Sequence, residues 1–188
     1  TTSTVNVTMS AATVLESSAR LPGTPSTLNG AFKLTVSNLS NIVNSITVSS
    51  GTSIEGNAAY LTGKTLDGSG TVNVLELNNT LGAILNGITA SIVNVTMGAA
   101  TVLESSARLP ASSLTLIGAH TLTVSSLNTI VNSITVSSGT TLEGNAVCLT
   151  GKTLDGSGTV NVLELNATLG AILNGITASI VNVTMSAA

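Results

Sequence analysis

Residues 5–22 read VNVTMSAATVLESSARLP, and residues 93–110 read VNVTMGAATVLESSARLP. The same opening, VNVTMSAA, returns at Val181, so the chain repeats with a period of 88 residues, the distance from Val5 to Val93 and from Val93 to Val181. A chain that copies itself is read as an array before it is read as a globular domain. One supersecondary unit stacked many times buries a continuous core that no unit could bury alone. The division that follows is the end of a preceding copy at 1–4, a first copy at 5–92, a second at 93–180 and the start of a third at 181–188. Both ends fall in the same phase of the repeat, which predicts a segment of a longer array or a unit that continues into its neighbour.

Within the copy, Val5-Asn6-Val7-Thr8-Met9, Leu34-Thr35-Val36, Ile46-Thr47-Val48 and Val72-Asn73-Val74 alternate apolar with polar residues. That is the period of a half-buried strand. GTS, EGN, DGSG and LNG interrupt them every few residues and supply turn chemistry. ATVLESSARLP, with Glu16 and Arg20 four apart, has the outline of a short helix. A weaker half-length similarity lays Glu16-Ser17-Ser18 on Glu55-Gly56-Asn57, a poor helix interior, so a strand-to-turn corner is expected there. The half-repeat is anchored by Ile42, Ile84, Ile130 and Ile172. Two coils per half-repeat give roughly 21–23 residues per coil, a size that fits a β-helix.

The expected fold is therefore all-β, a parallel β-solenoid built from the tandem repeat. In it each strand pairs with its equivalent one coil on, about 4.8 Å away. Tandem β-sandwiches of roughly 90–100 residues also fit the period. Against them stand the half-repeat and the scarcity of aromatics, 1% of the chain. Small β-branched and aliphatic side chains suit a thin coil filled layer by layer. On this reading Glu16, Glu55, Glu104 and Glu143 recur two coils apart, about 10 Å, a tolerable separation for like charges.

Charged residues make up 7% of the chain, against a typical share of roughly 25%. Low charge with an apolar balance argues for folding rather than disorder. The net charge is −3, and the five basic residues, Arg20, Lys33, Lys64, Arg108 and Lys152, are scattered. Nucleic-acid binding wants a clustered basic face and is not expected. No run of about 18 apolar residues marks a transmembrane segment. The lone Cys148 replaces Tyr60 of the first copy and reads as a packing residue.

No catalytic, cofactor or metal residues are expected. Asp67 and Glu76 recur as Asp155 and Glu164, whereas a glycosidase cleft is built from non-equivalent acids. LDGSG supplies one carboxylate, too few for the calcium turns of other solenoids. Thr121-Leu122-Thr123 has the form of an ice-binding array, but its first-copy counterpart begins with Lys33. Six sequons, at Asn6, Asn38, Asn78, Asn94, Asn166 and Asn182, match N-x-[ST]. The copies differ most between Gly23 and Asn41. Tolerance of change points to an exposed turn or lateral face, with Asn29, Phe32 and Lys33 in the first copy and Ile117, His120 and Thr121 in the second as contact candidates.

The near-identical VNVTM, LTGKTLDGSGTVNV and ITVSSGT repeats resemble the long Thr/Ser/Asn/Gly-rich surface and matrix proteins of bacteria, including adhesin and haemagglutinin-like β-solenoids. The resemblance implies export and a structural or adhesive role. The expected function is a non-catalytic extracellular fibre or surface-filament protein whose partners are copies of itself, with cell-surface or matrix polysaccharide as a further partner. An adhesin stalk carrying a tip outside this segment is the alternative, and a carbohydrate-active β-helix enzyme stands behind both.

Overall fold

In a computed structural model the chain forms a parallel β-solenoid of about eight turns. The structure describes residues 3–42, 45–78, 83–103, 106–126, 133–165 and 171–186. Its first half contains β1 (Val5–Thr8), β2 (Thr13–Leu15), β3 (Ser26–Asn29), β4 (Lys33–Val36), β5 (Ile46–Val48), β6 (Ser53–Asn57), the helical turn α1 (Ala58–Leu61), β7 (Leu66–Asp67) and β8 (Thr71–Leu77). The second half contains β9 (Ile92–Met97), β10 (Thr101–Leu103), β11 (Leu114–Ile117), β12 (Thr121–Val124), β13 (Ser133–Val136), β14 (Thr141–Asn145), α2 (Ala146–Leu149), β15 (Thr153–Asp155), β16 (Thr159–Leu165) and β17 (Ile180–Met185).

Every pairing between these strands is parallel, in sheets ordered β1-β3-β5-β7, β2-β4-β6-β8-β9-β11-β13-β15 and β10-β12-β14-β16-β17. Sandwich domains are antiparallel, so the tandem-sandwich alternative is set aside. Along the eight-stranded sheet the register runs Val14, Thr35, Glu55, Asn73, Asn94, Thr115, Thr135, Asp155. Its steps are 18 to 21 residues. Alternation turns this ladder outward and the flanking residues inward. Leu34, Ile54, Val72, Val93, Leu114, Ile134 and Leu154 are all at most 3% exposed. Stacking like upon like fills a narrow interior with β-branched and leucine side chains, which is why the chain does without an aromatic core.

The corners are closed by glycine and hydroxyl groups. In the DGSG turn Gly68 has φ +100°, and a Cβ on Gly70 would lie 2.5 Å from the Ser49 carbonyl oxygen and 2.6 Å from that of Thr52. At the neighbouring corner the buried Thr52 hydroxyl donates to the Gly30 carbonyl one turn below, and Thr140 does the same to Gly118. These bonds satisfy backbone groups that bending would otherwise leave unpaired.

Each turn passes over three faces, and the 88-residue period is not a whole number of turns. Val5, Ser26, Ile46, Leu66 and Ile88 climb one face. Val93 repeats Val5 in sequence yet stacks on Val72, on the next face. β9, β11, β13 and β15 therefore continue the sheet of β2, β4, β6 and β8, while β10, β12, β14 and β16 build the five-stranded sheet. A copy spans four turns plus one face.

Three sequence expectations change. Ile42 is fully buried whereas Ile84 and Ile172 are 46% and 59% exposed, so the half-repeat anchors are not equivalent in space; Ile130 lies outside the described residues. Glu55 stands in the ladder of Val14, not of Glu16, because the register follows the buried Leu34 and Ile54, with Thr13 opposite Leu34. Glu143 pairs with Thr123 and Asn161 in another sheet, and Glu104 lies outside the described residues. The Glu stack is thus not formed by these residues. Glu16 does follow a strand and enter a turn, as expected, with the Ala19 N–H donating to its carbonyl at 2.8 Å. The helical turns α1 and α2 were not foreseen, since EGNA followed by AYL or VCL is too short to show a helical period.

Candidate functional site: variable corners and outward ladders

The first-copy candidates share one corner. Asn29 ends β3, Phe32 is 40% exposed, and Lys33 opens β4. The Asn29 amide oxygen accepts the Ser49 hydroxyl at 2.7 Å, which ties the corner to the turn above. Lys33 Nζ lies 2.7 Å from Glu55 Oε1, with the two side chains 45% and 20% exposed. The lysine expected to face a partner thus neutralises a carboxylate on its own sheet.

In the second copy the backbone is retained and the side chains are exchanged. The Ser53 N–H donates to the Phe32 carbonyl at 3.1 Å, and the Thr141 N–H to that of His120 at 3.0 Å. Ile117, 37% exposed, ends β11, and Thr121 opens β12. With threonine in place of lysine, Glu143 accepts instead from Thr123 Oγ1 at 3.4 Å and Asn161 Nδ2 at 3.3 Å. The six candidates therefore form two groups of three. Asn29, Phe32 and Lys33 join the four-stranded to the eight-stranded sheet, whereas Ile117, His120 and Thr121 join the eight-stranded to the five-stranded one. The structure does not bring them into a single site.

The window from Gly23 to Asn41 is not wholly surface. Leu28, Leu34 and Val36 are buried, and Asn41 has no exposed area. Asn41 Oδ1 accepts the N–H groups of Ser37 and Asn38 at 3.0 and 2.8 Å, and its Nδ2 donates to the carbonyls of Glu16 and Ala19 at 2.9 and 2.7 Å. All of its amide chemistry is spent on holding two successive turns together.

Where one copy meets the next, the outward rungs are uncharged asparagines hydrogen-bonded to each other. Asn94 Nδ2 donates to Asn73 Oδ1 at 2.9 Å, and Asn182 Nδ2 to Asn161 Oδ1 at 3.0 Å. Two of the six sequon amides are thereby engaged in stacking. Asn6 is exposed, Asn38 Oδ1 accepts the Ser40 N–H at 2.9 Å, and Asn166 lies outside the described residues. These Asn pairs sit where one copy meets the next.

The acids do not converge. Asp67 ends β7 in the four-stranded sheet, while Glu76 lies on β8 in the eight-stranded one, where its carboxylate accepts Asn57 Nδ2 at 2.5 Å. Glu164 repeats that bond with Asn145 at 2.7 Å. Among the described residues no three His, Cys, Asp or Glu side chains are grouped as a metal site would require. A shallow depression of about 140 Å³ is lined by the uncharged Ser91, Ile92, Ser113, Thr115 and Thr135. It is small beside the roughly 300–1,000 Å³ of ligand pockets. Cys148 is buried, and burial pushes its thiol pKa up, away from the reactive thiolate. Among the described residues no helix is long and apolar enough to cross a membrane.

The chain matches no protein-family model, no curated protein and no solved structure.

Proposed function

We propose that this chain is a non-catalytic structural protein of an extracellular or cell-surface filament, extended by stacking β-coils end to end. The observation that carries this reading is the junction between copies. β8 receives β9 through Thr71–Ile92, Asn73–Asn94 and Leu77–Met97, and β16 receives β17 through Thr159–Ile180, Asn161–Asn182 and Leu165–Met185. The two junctions share one register, including the bulge before the last pair. A joint that is made the same way each time suits growth by repetition, whereas an enzyme needs one irregular place. Sparse charge supports the same reading, because a charged rung repeated every few ångströms repels itself.

An adhesin stalk uses the same rod to hold a binding module away from a surface, and the exposed, copy-specific Phe32 and Ile117 corners favour it as the second reading. Electron microscopy and fibre diffraction of native material separate the two. Unbranched filaments of uniform width with an axial spacing near 4.8 Å support assembly. Discrete rods of one length ending in a globular tip support the stalk and overturn the filament.

A further inference from the structure

The one-face advance changes what each side of the rod presents. On the eight-stranded sheet four outward rungs of Val14, Thr35, Glu55 and Asn73 give way to four of Asn94, Thr115, Thr135 and Asp155. Thr35 and Thr123, or Glu55 and Glu143, are equivalent in sequence but look out from different faces. With three faces per turn, the outward chemistry of any one face returns to itself only after three copies. Side-by-side packing of β-stacks gains its strength from identical side chains interdigitating at every rung. Here a face that matches a neighbour over one block of four rungs meets different groups in the next block.

We propose that this advance of one face per copy keeps solenoids of this chain from packing side by side, so that a second copy is accepted along the axis and refused laterally. The biological meaning rests on the filament reading, while the geometry is read on the rod itself. Spin labels on cysteine pairs in a Cys148→Ala background test it first. Thr35→Cys with Thr115→Cys spans four rungs of one ladder, about 19 Å at 4.8 Å per rung. Thr35→Cys with Thr123→Cys spans the same rungs across a corner, and its distance is expected to be longer by several ångströms; equal distances overturn the proposal. Deletion of residues 88–92 then returns Val93 to the face of Leu66 and gives the first copy four whole turns. By microscopy and small-angle scattering at high concentration, wild-type rods are expected to stay single and the deletion variant to bundle. Ordered side-by-side sheets of the wild type overturn the proposal. So does a deletion variant that keeps its β-sheet spectrum and brings the Thr35–Thr123 label pair to the Thr35–Thr115 distance, yet stays dispersed. If the deletion variant does not fold, wild-type bundling decides: single rods support the proposal and sheets overturn it. Failure of end-to-end growth counts against the filament reading alone, because label distances and lateral bundling are read on rods of any length.

Discussion

Asn41 spends four side-chain hydrogen bonds on backbone groups of two turns while fully buried. Removing the amide strands donors and acceptors in a place water does not reach, so Asn41→Ala is expected to lower stability by about 2–4 kcal/mol in urea titrations. Gly70 and Gly51 make a contrasting pair. A methyl group on Gly70 meets two carbonyl oxygens at 2.5 and 2.6 Å, whereas Gly51 has open space around it and only its φ of +78° to lose. Gly70→Ala is expected to cost about 3 kcal/mol and Gly51→Ala about 1–2 kcal/mol, so the order of their denaturation midpoints checks the packing of the corner. Cys148 gives a pH signature. Its thiol pKa is raised in the folded chain, so the unfolded chain ionises first, and the stability present below the ordinary value of 9.0 is lost as pH rises through it. Cys148→Ala is expected to flatten that part of the alkaline unfolding curve.

At the scale of the element, the bulge that ends β8 places Glu76 at φ +50°, and its counterpart Glu164 lies at +53°. Left-handed backbone costs a side-chain-bearing residue about 1–2 kcal/mol. Glu76→Gly relieves that cost and loses one exposed bond to Asn57, so its stability is expected to stay level or rise by up to about 1 kcal/mol. Glu76→Val, branched at Cβ, is expected to fall by about 1–2 kcal/mol. Lys33→Thr, which writes the second copy's residue into the first, is expected to cost less than about 1 kcal/mol and to lose its effect in high salt, since the pair with Glu55 is half in water. The alternation in VNV, LTV and ITV made strands and their inward faces legible from sequence, whereas Asp67 of LDGSG, which reads as a turn residue, ends strand β7, and the bend begins at Gly68. Register was harder. Glu16 and Glu55 look equivalent as letters, but burial of Leu34 and Ile54 sets the pairing and shifts Glu16 out of the ladder.

For the whole molecule, the coil size follows from the repeat, while the remainder of one face does not. A period of 88 residues divided by a coil of 18 to 24 residues leaves the direction of each copy undecided, and only the pairing of Val93 with Val72 fixes it. The candidate site was legible as a list of exposed corner residues and not as a place, because the same remainder sends its two halves to different corners. Phe32 and Lys33 face one way, His120 and Thr121 another.

The shared register at the two junctions also bears on inheritance. Unequal crossing-over between near-identical copies removes or adds 88 residues at a stroke, and a joint that is remade in the same way needs no compensating mutation afterwards. Length is thus free to vary between lineages without a period of misfolding. Each such event also turns whatever lies beyond it by one face, so a gene that changes its copy number re-aims the distal end of its product as well as moving it.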